Sequence, residues 1–228
     1  FGKWHLDAGR EYQVPSPVLD HGYDDGGHPV PTEDDPKSTH AITDLATDFI
    51  RRKWTGDEPF FLQVSYEAPH TPILASPDVI EEFRAKPRGV RHTSPVYAAM
   101  LKELDDGISR IRDLLAETGL NSSTYVIFVS DNGGVANLQE DTNNEPLRLG
   151  KGTLWEGGIR VPFIATGPGI TPNSISRVPV VTTDLYATIL DLLGVNVADQ
   201  PGIESASLVP VLENGGSIPE GHDQLRRG

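Results

Sequence analysis

The apolar positions of this chain fall into two kinds of run, one with a helical period and one nearly continuous. From Thr39, predicted to cap a helix reaching about Trp54, Ile42, Leu45, Ala46, Phe49 and Ile50 form one stripe. Residues 94–118 repeat the pattern with Tyr97, Leu101, Leu104, Ile108, Ile111 and Leu115, and Gly119 stops it. A third helix is predicted over Thr183–Leu193, closed by Gly194. The other runs read as strands. "PFFLQVSYEAPH" (59–70) predicts a buried strand running into a loop, and "RVPFIATGPG" (160–169) a further strand. "STYVIFVSDNGG" (123–134) is the clearest, a β-branched and aromatic run that implies burial on both faces at the centre of a parallel sheet. Strands alternating with helices of this length predict a layered α/β fold.

Between these elements lie stretches without apolar period. Residues 7–38 are rich in Gly, Pro, Asp and His and read as a long loop of the kind that walls a binding cleft. Residues from about 195 to 228 are loop-rich, with a short helix expected around Ser207–Glu213. Both ends read as cuts through a longer protein.

Composition narrows the function. The 228 residues are 37% hydrophobic and 23% charged, enough for a sizeable core. A net charge of −14 argues against a nucleic-acid partner, although a local cationic pocket can still hold a small anion. The absence of cysteine removes disulfides, thiolate metal sites and a cysteine nucleophile from this stretch. No run approaches the length of a transmembrane segment.

Ligands of open α/β sheets bind past the carboxyl ends of the strands, and the polar clusters of this chain fall there. Asp131 and Asn132, followed by Gly133 and Gly134, offer hard oxygen donors for Ca²⁺ or Mg²⁺; the same tetrapeptide also forms an Asx turn readily. His70 stands between Pro69 and Pro72, as a general acid or anion ligand or as a packed loop histidine. Lys151 is framed by Gly150 and Gly152 and can reach into a cleft with little crowding, whereas Glu156 and Arg160 are expected to pair and hold their loop. At the start of the chain, Gly2, Lys3, Trp4 and His5 place two cationic donors beside a glycine and an indole, which suits an anion and also suits a plain surface turn.

In combination the clusters are specific. "GKWHL", "APHTP", "SDNGG" and "GKGTLWEGGIRVP", in that order and spacing, resemble the sulfatase family of the alkaline-phosphatase-like superfamily, with weaker similarity through "TTDLYATILDLLG". The resemblance implies a three-layer fold with a mostly parallel central sheet flanked by helices, here incomplete, and residues 1–228 as part of one catalytic domain. It implies a sulfuric ester hydrolase acting on a sulfated carbohydrate or aryl sulfate. Lys3, His5, His70 and Lys151 would be catalytic, with Lys3, His70 and Lys151 gripping the sulfate. Asp131 and Asn132 would hold one divalent metal, expected to be calcium. The implied nucleophile is a formylglycine hydrate made from Cys or Ser in a C/S-x-P-x-R segment; it attacks sulfur, His70 protonates the departing alcohol, and His5 acts as base in releasing sulfate. No C/S-x-P-x-R occurs in these residues; the nearest is "SIPEG" at Ser217. The nucleophile and the paired aspartates completing the metal site are expected upstream. The alternatives are a phosphomonoester or phosphonate-ester hydrolase of the same superfamily and an inactive relative that binds sulfated glycans.

Overall fold

The structure, a computed structural model, describes residues 1–3, 22–56, 58–135, 142–200, 202 and 205–218. Its helices are α1 (Thr39–Trp54), α2 (Pro77–Arg84), α3 (Pro95–Glu117), α4 (Glu156–Ile159), α5 (Asp184–Leu192) and α6 (Val209–Glu213); its named strands are β1 (Val126–Val129) and β2 (Phe163–Thr166). The chain divides into two compact units, one of residues 1–121 and 132–160, the other of 122–131 and 161–228.

The first unit is built on α1 and α3. The stripe expected on α1 is inside, with Ile42, Ala46 and Ile50 fully buried, while Phe49 packs edge-on against Phe1 and Phe60 at 5.9 and 5.6 Å between ring centroids. The cap differs from expectation. Thr39 is the first helical residue and Ser38 holds the cap position with φ 51° and no side-chain cap bond. Asp35 supplies the missing acceptor, its carboxylate taking the Ala41 N–H at 3.0 Å, so the cap comes from four residues before the helix. Three threonines also line the buried face, and Thr43 and Thr47 return their hydroxyl protons to the carbonyls one turn back.

On α3, Ser94 caps the helix by accepting from the Tyr97 N–H, and Gly119 follows the end with φ 76°. Its buried face is Ala99, Met100, Leu104, Leu114 and Leu115, while Leu101, expected inside, is 40% exposed. The helix rotates this way because Gly107 is its contact with α1. A methyl group there would lie 2.6 Å from the Thr43 hydroxyl and 3.1 Å from that of Tyr66, and those two oxygens are themselves hydrogen bonded at 2.8 Å. A second helix against α3, α2, has no counterpart in the sequence reading. Val79, Ile80 and Phe83 of α2 pack on the Ala99–Met100–Leu104 cluster, and the buried Glu103 carboxylate accepts the Ser76 N–H at the head of α2.

Residues 59–70, expected as a buried strand, form among the described residues an isolated parallel bridge, Gly2 to Ser65, and no named strand, and they end in a turn at 68–70. Ser65 N–H donates to the Phe1 carbonyl (2.8 Å) and Lys3 N–H to the Ser65 carbonyl (2.7 Å). The segment is not enclosed, since Phe61 is 56% exposed.

In the second unit β1 pairs with β2, but the pairing is antiparallel, Val126 opposite Thr166 through Val129 opposite Phe163. Both-face burial of β1 is likewise not met; all four of its residues are half-buried. Phe163 points into a small core of Ala206, Leu208 and Val211, the last on α6 as expected from the tail. The buried Asp184 at the head of α5 accepts the N–H groups of Val181 and Ala206, and Thr188 accepts that of Leu208. Of the loop expected over 7–38, residues 22–38 contain no helix or strand before Thr39; residues 7–21 lie outside the described residues.

The Gly107 contact gives a direct test. Alanine there improves helix propensity by about 1 kcal/mol but drives a methyl group into a hydroxyl already committed to two bonds. Gly107→Ala is expected to destabilise by about 1–2 kcal/mol in urea denaturation, and to become neutral or stabilising in a Thr43→Ala background. A penalty unchanged in that background would show that Thr43 is not the obstacle.

Candidate functional site

The expected site residues of the first unit lie on two backbone frames. In the first, the Gly2–Ser65 contact fixes Lys3. Gly2 has φ 96°, and any side chain would overlap the Ser65 carbonyl; the glycine of the G-K-W-H segment is there because two backbones touch. Lys3 therefore leaves the pairing directly beside the Ser65–Pro72 segment. His70 lies at the far end of that segment on a turn closed by its own N–H to the Glu67 carbonyl at 2.8 Å. Its Nδ1 is 2.7 Å from the Thr71 carbonyl. A carbonyl only accepts, so Nδ1 carries the proton, and the ring is exposed. His5 lies outside the described residues.

Against the Ser65–Pro72 segment stand residues that the sequence reading did not single out. Lys37, at the head of α1, is 2% exposed. Its ammonium donates to the Pro72 carbonyl at 3.3 Å and lies 3.9 Å from the Glu67 carboxylate, whose other oxygen is 3.5 Å from His28 Nε2. Burial pushes the Lys37 ammonium below the ordinary lysine range; the Glu67 charge works against this and the neighbouring Lys3 charge adds to it. In sequence, "DDPKST" looks like any solvated turn. The burial is set by contacts 30 to 35 residues away, and the Asp-Pro and Ser-Thr around Lys37 signalled only a helix start.

The second frame carries Asn132 and Lys151. Gly133 N–H donates to the Gly158 carbonyl (3.0 Å), and Lys151 N–H to the Gly134 carbonyl (2.9 Å). Gly157 N–H returns to the Arg148 carbonyl at 2.9 Å. A Cβ on Gly133 would collide with the Gly157 carbonyl, and one on Gly157 with that of Leu149. The Asn144 side chain closes the frame, accepting the Gly134 N–H (3.1 Å) and donating to the carbonyls of Gly134 (2.9 Å) and Leu149 (3.0 Å). Lys151 is held by its backbone with an exposed side chain. Arg148 stacks 3.8 Å over the Trp155 ring. Glu156 and Arg160 do pair, at 3.2 Å, but both are more than half exposed. Asn144, not that pair, does most of the holding, and the sequence reading passed over it as one more polar loop residue.

Asp131 is the last residue of the second unit, one step before Asn132 in the chain. Its carboxylate is exposed and makes no hydrogen bond or ion pair among the described residues. It is an oxygen donor, as is the amide of its chain neighbour Asn132, and oxygen donors suit a hard divalent cation. A Ca²⁺ shell of six to eight oxygens needs further ligands, and among the described residues no group of three or more acidic or histidine side chains is assembled.

The sulfatase family model matches residues 1–195, a range that includes both glycine frames. The chain belongs to the sulfatase family. It is 35% identical over 214 residues to a sulfatase of Formosa agariphila, covering 88% of this chain and 38% of that one. It is 32% identical over 181 residues to the N-acetylgalactosamine-6-sulfatase of Mus musculus, covering 78% and 33%. Among solved structures, Ps i-CgsB in complex with k-i-k-neocarrahexaose superposes with a TM-score of 0.68 at 30% identity, over 79% of this chain and 39% of that one. The chain thus spans about two fifths or less of these relatives. The fold class is that of the sulfatases, alkaline-phosphatase-like, and this chain is a partial α/β portion of it. The family implies a formylglycine and a divalent metal. No helix among the described residues is long and apolar enough to cross a membrane.

The unequal roles of Asn144 and the Glu156–Arg160 pair can be measured. Asn144→Ala removes three bonds and is expected to cost about 2–3 kcal/mol and to speed hydrogen exchange at the Gly134 and Lys151 amides. Arg160→Ala is expected to cost under about 1 kcal/mol, as an exposed pair does. Unchanged protection of those two amides in Asn144→Ala would remove Asn144 from its place in the frame.

Proposed function

We propose that this sulfatase portion supplies the sulfate-gripping side of a sulfuric-ester hydrolase site that cleaves sulfate monoesters of a sulfated carbohydrate. The observation that carries the reading is the Asn144-closed frame. It ties the backbones of Gly133, Gly134 and Lys151 into one lattice, so that an exposed cation projects from a main chain that is already in place and needs little reorganisation. The carbohydrate class is supported by the relatives, a sugar 6-sulfatase and an enzyme solved with a neocarrahexaose.

The residues then divide the work as follows. Lys3 and Lys151 balance the charge of the sulfate oxygens, and the fixed backbone under each keeps that charge in place as the S–O bond lengthens. His70, protonated on Nδ1 towards Thr71, delivers the Nε2 proton of its imidazolium to the leaving alkoxide, which keeps the electron pair of the broken bond. His5 serves as the base for sulfate release. The formylglycine hydrate of the family supplies the attacking oxygen. Asp131 and Asn132 are the residues that would hold the divalent cation, whose charge stabilises the oxygens of the ester. Two oxygen donors, one of them an amide, favour Ca²⁺ over the more exacting Mg²⁺ and over Zn²⁺.

A full-length protein carrying this sequence provides the tests. Lys151→Ala is expected to lower kcat/KM by about 10² or more with the thermal midpoint unchanged; activity within a few-fold of the parent would make Lys151 a solvated loop lysine. Elemental analysis of protein purified without chelator is expected to find one calcium per chain, lost in Asp131→Ala. Two zinc ions per chain would instead support the phosphomonoesterase reading, and an intact cation site with sulfated-glycan binding but no turnover the inactive one.

A further inference from the structure

The Lys37 ammonium has no place in the scheme above, yet it is among the most deeply buried charges of the chain, and both groups it touches belong to the His70 turn. We propose that Lys37 is a positioning residue for His70, a cationic peg that fixes the turn from which His70 delivers its proton to the leaving oxygen; this rests on the acid role given to His70 above.

The turn that carries His70 runs from Glu67 to Pro72. Lys37 meets it at both ends, through the Glu67 carboxylate at 3.9 Å and the Pro72 carbonyl at 3.3 Å. Between those anchors the turn is closed by the His70 N–H to the Glu67 carbonyl and by Nδ1 to Thr71. The imidazole is therefore oriented by a backbone that Lys37 staples to the head of α1. The far side of that head is equally fixed, since Asp35 accepts from both the Ser38 region and α1, its carbonyl taking the Ser38 N–H (3.0 Å) and its carboxylate the Ala41 N–H. The other carboxylate oxygen of Glu67 lies 3.5 Å from His28 Nε2. A lysine at 2% exposure loses its hydration, which a solvated loop residue does not do; the position is kept because the charge has two acceptors. Its side chain is only 3% exposed, so it is not placed to meet a substrate itself.

A residue that acts through the acid leaves a signature that a merely structural one does not. An activated aryl sulfate releases a phenolate that needs no proton, whereas a primary alkyl sulfate releases an alkoxide that does. The experiment measures kcat and KM on both substrates for the full-length parent, His70→Ala, Lys37→Met, Lys37→Arg and Glu67→Gln. Lys37→Met is expected to lose at least about tenfold more kcat on the alkyl sulfate than on the aryl sulfate, in the same direction as His70→Ala. KM is expected to move less than about threefold, and Lys37→Arg to recover most of the alkyl-sulfate rate. Glu67→Gln, which keeps shape and removes one anchor, is expected to show a smaller loss of the same kind, and it serves as the test if Lys37→Met does not fold. A leaving-group split in His70→Ala that is missing from Lys37→Met, or from Glu67→Gln where it stands in, overturns the role of Lys37 alone. No split in His70→Ala overturns the acid role and, with it, this inference.

Discussion

Backbone touching backbone is the constraint on which the site of this chain depends. At Gly133 and Gly157 carbonyl oxygens occupy the space where a side chain would begin, and the hydrogen bonds from Gly133 to Gly158 and from Lys151 to Gly134 are possible only at that separation. Segments that meet this closely have little freedom to slide. The backbone from which Lys151 projects is held by these contacts, while its side chain is exposed. The Gly2–Ser65 pairing does the same for Lys3. Cations fixed by the main chain are what an anion-cleaving site requires, because their orientation costs nothing at the moment charge develops.

The electrostatics follow from the same arrangement. A chain of net charge −14 repels anions at long range, and its many exposed ion pairs, such as Arg51–Asp48 and Arg84–Glu81, are of small energetic weight. The cations gathered around residues 65–72 are of another kind. Burial holds the Lys37 ammonium below the ordinary lysine range, and the neighbouring Lys3 charge adds to the effect. The Glu67 carboxylate, which also lies near His28, opposes this concentration of like charge. An anion bound beside Lys3 would relieve it.

How much of this could be read in advance differs by element. The helices α1, α3 and α5 were legible because their apolar positions keep a helical period and glycines with positive φ follow α3 and α5. The helix α2 was not, although Pro77 at its first position and Asp78 in its first turn are start signals; none of its residues is fully buried, and eight residues make a weak stripe. Continuous apolarity in "VIFV" was over-read, since such a run says that a strand forms and not how many neighbours it has or which way they run. Among the candidate site residues, Lys151, Asp131 and Asn132 stand out in sequence through their glycines. Lys37 and Asn144 do not, because long-range contacts alone separate a buried lysine from a solvated one and a clamping asparagine from a turn residue.

The central claim is that two separately built backbone frames aim their cations at one sulfate. A crystal structure of a full-length protein carrying this sequence, with a sulfate ester or inorganic sulfate bound, tests it most directly. The account predicts sulfate oxygens within about 3 Å of the Lys3 and Lys151 ammonium nitrogens and of His70 Nε2. Sulfate bound away from these three atoms, with Lys151 turned to solvent, would contradict it.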